Sequence, residues 1–547
     1  MANRETDAAG SRWIATFLVV AAAVLVVLPF AWRGDPSGHD FEFHLSSWME
    51  AASQWRQGIA YPRWAALAHY GYGEARFIFY PPLSWMLGAA LGTLLPWALT
   101  PAVYVSLVLT LGGWCMYRLS REWLPEQDAI AAAVLYVVNP YHVVVVYWRS
   151  ACAELLADAL FPLLLLWVLR ARQDPRRALV PLSLTLAVIW LSNAPAAVIA
   201  TYSVVLLALV LWIVTKNWRV LGAAGASIAM ALGLAAFYII PATWEQKWVN
   251  IGEILSPGVR PADNFLFTTI ADTEHNVFNR LVSWVGVAEI LVLILALIVV
   301  RRSRQTRPAM WWAVAIWAGA SALLMLGVSD VFWEHLPKLK FVQIPWRWLV
   351  PFNVVFAIVV AAAVRRNFGR VFVVALIAVG MFALSYRVLS PWWDTARDVA
   401  EMQQGVVSGR GYEGTDEYVP RGADPYEIKV DAPRVEVLSP AGGTVKVERW
   451  QAEFRAFTVD VTQPSELALR LFNYPAWSVQ VNGQTVQAGT REVTGQMMIS
   501  IPAGTSQVEI HFRRTRDRTV GAVVSLAFAF IMMFLAVRNK RRGAVNS

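Results

Sequence analysis

Residues 13–44 read WIATFLVVAAAVLVVLPFAW followed by RGDPSGHDFEFH: twenty uncharged residues, then a loop holding Asp35, His39, Asp40, Glu42 and His44. At 1.5 Å per residue the run 13–32 is long enough to cross ~30 Å of hydrocarbon. No small-residue cleavage signature precedes the acidic loop, so the run reads as a retained first membrane helix and not as a signal peptide. Working outward, further apolar segments fall at 82–99, 102–119, 128–147, 153–170, 178–195, 196–215, 220–242, 281–300, 309–328, 347–364, 371–390 and 519–537, which with the first makes 13 candidates. Composition agrees, since 57% of the 547 residues are hydrophobic and 16% charged, against about 45–50% and about 25% in a globular chain. Most of the chain is dissolved in lipid. That excludes a secreted disulfide scaffold, a disordered protein and a soluble enzyme with one anchor. Cys115 and Cys152, the two cysteines present, make neither a disulfide framework nor a thiolate metal site.

The net charge of +9 is unevenly placed. Residues 391–515 hold 12 Lys and Arg against 16 Asp and Glu, net −4, which leaves +13 on the rest of the chain. Much of that excess sits in short clusters: Arg170, Arg172, Arg176 and Arg177; Lys216 and Arg219; Arg301, Arg302, Arg304 and Arg307; Arg365, Arg366 and Arg370; Arg538, Lys540, Arg541 and Arg542. Such clusters mark the cytoplasmic side of a multi-spanning protein, not a nucleic-acid surface. Both termini are then cytoplasmic, which requires an even number of crossings. The conflict lies in 82–127: if Arg118 and Arg121 are cytoplasmic, the segment 82–99 re-enters or lies along the interface. The expectation is 12–14 transmembrane helices.

Residues 391–518 differ in kind. Apolar alternation replaces apolar runs at 429–437, 444–447, 454–461, 467–472, 478–487, 497–501 and 507–512, all suited to strands. Asn482-Gly483 supplies the two positive-φ positions of a type I′ hairpin turn. The expected fold class is therefore an α-helical polytopic membrane protein with a C-terminal, extracytoplasmic, β-sandwich-like domain. Residues 1–390 form the membrane domain with its first loop at 33–81, 391–518 the β-rich domain, and 519–547 a final helix and basic tail. The other long loops, 244–280 and 329–346, fall on the same outer side, where binding and catalysis are carried on a rigid scaffold.

In the first loop, two acids at i and i+2 flanked by two histidines are a costly placement at a membrane surface unless they bind a cation, take a proton or face water. Phe43, Trp48, Ala51, Ala52 and Trp55 make an apolar stripe, which places Asp40 and Glu42 at the start of an interfacial helix. Its N-terminus favours negative charge. His39 and His44 match no familiar zinc spacing. Magnesium or manganese held by the carboxylates and a phosphate ligand suits the hard oxygen donors better. No P-loop, dinucleotide fingerprint, nucleophile elbow or zinc-protease motif is present, so the energy for any reaction comes with an activated substrate.

The order of motifs resembles a known family. The acidic motif of the first outer loop, an interfacial helix and then Tyr80-Pro81-Pro82-Leu83 resemble the GT-C superfamily of integral membrane glycosyltransferases. More closely, Gly38-His39-Asp40 through His44, Tyr147 through Glu154, Ser192-Asn193-Ala194-Pro195, Phe237 to Pro241 with Glu245, and Ile344-Pro345-Trp346-Arg347 resemble bacterial membrane proteins labelled "6-pyruvoyl-tetrahydropterin synthase related", a label that carries no pterin chemistry. Tyr474-Pro475-Ala476-Trp477 and Ile501-Pro502-Ala503-Gly504 resemble the C-terminal domain of the related YfhO-like proteins.

The resemblance implies a protein of the bacterial inner membrane that transfers a sugar, with inversion, from a polyprenyl-phosphate donor to an envelope glycan, lipid or protein acceptor on the outer face. Asp40 would be the general base, and Glu42 would orient the acceptor or help hold a cation; the pattern does not settle which acid is the base. Arg347, at the outer end of a helix, would clasp the lipid phosphate, or else anchor the interface among Trp346 and Trp348. Arg149 and Glu154 read as a structural ion pair or as a phosphate ligand and a second acid. Lys247 and Arg260 are further cations without a spacing argument. Trp48, Trp55, Trp244 and Trp346 read as interfacial belt residues, and His69, His142, His275 and His335 pair with no acid at a recognisable spacing. Two other classes stand beside the transferase. Asp158 and Glu289, inside apolar segments, are what a transporter of lipid-linked glycans or lipids needs, and a non-catalytic scaffold would use the β-domain to bind envelope polysaccharide. The transferase reading requires Asp40, Glu42, Arg149, Glu154 and Arg347 to surround one cavity.

Overall fold

The computed structural model describes residues 2–300, 308–363, 380, 387–438 and 442–545. Among them, eight helices are long and apolar enough to cross a membrane: Arg12–Arg33, Trp97–Ser120, Glu126–Arg149, Cys152–Ala171, Ala194–Thr215, Thr273–Val300, Pro345–Ala363 and Arg516–Asn539. Two bent pairs, Arg219–Leu234 with Ala236–Trp248 (73°) and Met310–Leu324 with Gly327–His335 (96°), bring the number to ten. Three of the 13 candidate segments are not in this set. The segment 371–390 lies almost wholly outside the described residues. Pro175–Ser192 is helical but carries Arg176, Arg177 and an internal Pro181. Pro82–Leu94 has 13 residues, about 20 Å of helix against ~30 Å of hydrocarbon.

The expected interfacial helix forms over Phe41–Arg56, with Asp40 as its N-cap residue. It is not laid on lipid. Leu45, Trp48, Met49, Ala51 and Ala52 are buried in protein, with Trp48 stacked on Tyr104 at 4.8 Å and fitted against Gly88 of the short helix, where a Cβ would come within 2.1 Å of the indole. Trp346 is equally buried, edge-on to Tyr141 and Phe278. These two tryptophans are therefore core residues and not belt residues, whereas Trp244 is exposed.

The C-terminal strands form two antiparallel sheets. One orders Val435–Val437, Ser465–Phe472, Gln496–Ile501 and Gly489–Thr490; the other orders Gly443–Trp450, Phe454–Val461, Gly504–Phe512, Trp477–Val481 and Gln484–Val486. Asn482 (φ 51°) and Gly483 (φ 80°) make the hairpin turn read from sequence. Leu467, Leu469, Met497 and Ile499 of one sheet share a core with Phe457, Val459, Val508 and Ile510 of the other, the alternation expected of a sandwich. Ahead of the sandwich, residues 394–434 hold the helix Ala396–Ser408 and 3-10 turns in place of a strand at 429–434.

The sandwich core continues into the membrane domain through Trp64, Tyr72, Ile78 and Phe79 of the first loop and Val249 of the loop 244–280. Two polar ties fix the junction. Arg518 Nε and Nη2 each donate to Glu245 at 2.7 Å, and Tyr474 OH donates to the same carboxylate at 2.6 Å. Asp35-Pro36 pairs antiparallel with Trp393-Asp394. The first loop is thus held between the helices and the β-domain.

Candidate active site

The site starts from a glycine. The end of the span Glu126–Arg149 loosens into a π-helical turn, Val145–Arg149, and stops at Ser150 in the left-handed region (φ 51°). Across this turn runs the first loop: His39 and Asp40 donate their backbone N–H groups to the carbonyls of Trp148 (3.2 Å) and Arg149 (2.8 Å), Gly38 N–H donates to Ser150 Oγ at 3.2 Å, and Ser150 Oγ donates to Pro36 O at 2.8 Å. A Cβ on Gly38 would lie 2.5 Å from Ser150 Oγ and 2.6 Å from the Arg149 carbonyl carbon. Only glycine lets Asp40 come this close to Arg149.

From there a chain of charge runs inward. Arg149 Nη2 donates to Asp40 Oδ2 at 3.2 Å, and its Nη1 donates to Glu154. Glu154 is 1% exposed and also receives Arg347 Nε at 2.9 Å and the Tyr141 hydroxyl. Arg347 spends Nη1 on Val342 O (2.7 Å) and Gln343 Oε1 (3.1 Å), which leaves Nη2 without a hydrogen-bond partner among the described residues. Arg149 also lies over the Trp346 ring at 5.2 Å. With Asp40 on Arg149, the two guanidiniums meet two carboxylates; the positive end of the group lies at Arg347, which shares its one carboxylate, Glu154, with Arg149 in a setting where low dielectric strengthens attraction for an anion. Asp40, at 38% side-chain exposure, is the accessible acid of the group.

Asp40, Arg149, Glu154 and Arg347 line one cavity of about 470 Å³. So does His39, edge-on to Phe278 at 4.9 Å, its pKa lowered by burial and by Arg149. Glu42 does not line it. Two residues along a helix turn the side chain by about 200°, and Glu42 is exposed on the other face, its pKa raised by partial burial and by the carboxylates of Asp394 and Glu413. His44 is absent from the wall too; it is buried against Trp48 and Tyr80, and burial holds its pKa down to about 4. Of the further cations, Lys247 lies over Trp244 at 3.9 Å, beside an adjoining hollow, and Arg260 pairs with Asp263 at 2.9 Å. Asp158 and Glu289 are buried and line no part of this cavity.

The wall also holds groups that spacing did not single out: Lys338, with no carboxylate partner among the described residues, and Glu417. Tyr80 and Asn193, inside motifs quoted above, line it as well. His69, read as unpaired, sits 2.9 Å from Glu74; left-handed His69 and Tyr70 fold that segment back on itself.

No three His, Cys, Asp or Glu side chains converge as a metal-ligand set among the described residues. Asp40 and Glu154 are engaged by arginines, and Glu42 does not line the cavity.

A family model described as "6-pyruvoyl-tetrahydropterin synthase related domain; membrane protein" matches residues 77–391. The chain belongs to this family. Arg149, Glu154 and Arg347 lie inside the matched stretch of this 6-pyruvoyl-tetrahydropterin synthase related membrane protein; Asp40 and Glu417 lie outside it. An uncharacterized protein of Lactococcus lactis subsp. cremoris (strain MG1363) is 26% identical over 238 residues, 41% of this chain, and the chain spans 38% of the length of that curated relative. Among solved structures, ArnT from Cupriavidus metallidurans bound to undecaprenyl phosphate is 15% identical, with 73% of this chain and 76% of that chain covered and a TM-score of 0.44. The arabinofuranosyltransferase AftD from Mycobacteria is 18% identical, with 70% and 27% covered and a TM-score of 0.44. The oligosaccharyltransferase AglB from Archaeoglobus fulgidus, in complex with an inhibitory peptide and a dolichol-phosphate, is 14% identical, with 74% and 56% covered and a TM-score of 0.38.

Proposed function

We propose that this membrane protein is an inverting glycosyltransferase that moves a sugar from a polyprenyl-phosphate donor to an acceptor on the extracytoplasmic face. The observation that carries the reading is one cavity holding an accessible carboxylate, Asp40, beside Arg149, Arg347 and Lys338. The arginine-rich loops support a reading in which the termini are cytoplasmic and the cavity and β-domain lie outside.

In this reading the lipid phosphate lies against Arg347 and Lys338, where a guanidinium gives short, charge-assisted bonds. Asp40 takes the proton of the acceptor hydroxyl as its oxygen attacks the anomeric carbon. The new bond from acceptor oxygen to carbon forms on one face while the bond from carbon to phosphate oxygen breaks on the other, and the phosphate departs with the electron pair. Glu154 touches no substrate; it fixes both arginines and keeps Arg149 against Asp40. The leaving charge is met by guanidinium and ammonium, and no step runs through a divalent cation.

The test uses the purified full chain with undecaprenyl-phosphate-linked sugars. Asp40→Asn is expected to lower transfer about 10²–10⁴-fold, the range of a lost general base, with undecaprenyl phosphate still bound. Undiminished transfer by that variant removes Asp40 from the role; absence of undecaprenyl phosphate binding to the unaltered protein overturns the function.

A further inference from the structure

Glu417 is a third carboxyl in the cavity wall, and it comes from the segment that leads into the β-domain and not from the membrane helices. The residues before and after it in sequence are held in place. Thr415 N–H donates to Glu74 Oε2 at 2.8 Å, the Tyr418 ring stacks on Phe79 at 5.8 Å and 4°, and Val419 O accepts from Asn250 N–H at 3.1 Å. Pro420 forms a bridge with Val249, and Asp416 accepts from the Tyr426 hydroxyl at 2.9 Å.

The Glu417 side chain itself has no partner on another residue among the described residues. Folding that fixes the neighbours this firmly while leaving the carboxyl over a cavity keeps a polar group at a desolvation cost that a ligand would repay. Burial, with Glu74 and Asp416 nearby, outweighs the opposing pull of Arg76 and holds this carboxyl up to about 7, so that near neutrality it can both accept and donate a hydrogen bond.

The lining comes from two kinds of segment. Arg149, Arg347 and Lys338 come from the turn at 149 and the segment 338–347, whereas Glu417 and Thr415 come from the segment leading into the β-domain and Thr243 and Gln246 from residues 243–246, all lining the same cavity. An anion belongs on the first set. The second offers a carboxyl, hydroxyls and an amide, with no cation among these four, which is the chemistry that recognises a neutral, hydroxyl-rich molecule.

We propose that Glu417 holds the acceptor, and that the acceptor is a neutral carbohydrate, hydrogen-bonded through a sugar hydroxyl to the Glu417 carboxyl beside Thr415 and Gln246. Calling the bound carbohydrate an acceptor rests on the glycosyl-transfer reading; the binding site does not.

The experiment is saturation-transfer NMR on the full chain in nanodiscs, with a mixture of the methyl glycosides of glucose, galactose, mannose and arabinose as probe and undecaprenyl phosphate as a separate ligand. The unaltered protein is expected to show saturation transfer to at least one glycoside. Glu417→Gln is expected to weaken that glycoside about tenfold, the worth of one charge-assisted hydrogen bond, while binding undecaprenyl phosphate. Arg347→Ala is expected to do the reverse. No signal from the unaltered protein, or equal glycoside binding by Glu417→Gln, overturns the proposal. Glycoside binding that depends on Glu417, in a protein that ignores undecaprenyl phosphate, keeps this site and overturns the transferase reading instead.

Discussion

Arg347 Nε lies 2.9 Å from Glu154 Oε2 across 193 residues of sequence, and Arg149, the accessible acid's partner, reaches the same carboxylate oxygen. One buried carboxylate therefore positions two guanidiniums from separate spans. Removing it leaves Arg347 buried without its counter-charge and Arg149 with only the part-exposed Asp40, and a buried charge without its partner costs about 3–5 kcal/mol. Glu154→Ala is expected to lower the denaturation midpoint sharply, whereas Asp40→Ala, which breaks a part-exposed pair, is expected to change stability by less than ~1 kcal/mol. Thermal unfolding of both variants in one detergent checks the contrast, and equal losses would contradict the assignment of Glu154 as the keystone of the pair.

Gly38 tests the approach of the two segments. The tight contact with Ser150 Oγ and the Arg149 carbonyl carbon means that Gly38→Ala must push the first loop off the π-helical turn, an overpacking cost of about 1–3 kcal/mol. Because the displaced residue pair is Asp40 and Arg149, activity is expected to fall further than stability. Transfer assays alongside unfolding curves measure both; an alanine variant with full activity would show that the loop's position is not set here.

Much of this arrangement was legible in the sequence, and the losses have physical causes. The run 13–32, the hairpin at Asn482-Gly483 and the strand periods announce themselves locally, and Asp40, Arg149, Glu154 and Arg347 sit in motifs at span ends. Glu42 does not join Asp40 in the cavity wall, because i, i+2 proximity in sequence is opposition on a helix. Lys338, two residues from Lys340, and Glu417, next to Asp416, belong to no motif and are brought to the wall only by tertiary packing. Trp48 and Trp346 follow the rule for lipid-facing interfaces, yet Trp48 packs on Tyr104 and Gly88 and Trp346 on Tyr141 and Phe278, protein where that rule assumes bilayer. The acid of His69 stayed hidden because a left-handed bend, not a regular spacing, joins it to Glu74.

The first loop carries a pH response. Glu50, buried under the segment 409–420, accepts from Tyr412 OH, from Leu67 N–H and from Gln54, and burial outweighs these bonds to push its carboxyl up to about 7. A carboxyl raised in the fold stabilises it in the protonated form, so its contribution is full below the unfolded value near 4.5 and is lost as pH climbs through about 7. The swing is on the order of 3 kcal/mol. Glu50→Gln is expected to flatten the fall in stability between pH 4.5 and 7, read as melting temperature against pH; a variant curve parallel to the unaltered one would assign the response elsewhere.

The final prediction concerns how phosphate charge is met. Arg347 is held through Nε and Nη1, so any anion it binds is approached by the remaining nitrogen in a fixed direction. Lysine keeps the charge but loses the bonds that aim it. Arg347→Lys is therefore expected to weaken undecaprenyl phosphate binding by about tenfold, roughly 1.4 kcal/mol, with Arg347→Ala weaker still. Since Asp40 and Glu154 are occupied by arginines, chelation with EDTA is expected to leave the affinity of the unaltered protein where it was. Isothermal titration with and without chelator decides the point. A loss of binding on chelation, restored by manganese or magnesium, would mean that the carboxylates exchange their guanidinium partners for a cation when substrate arrives.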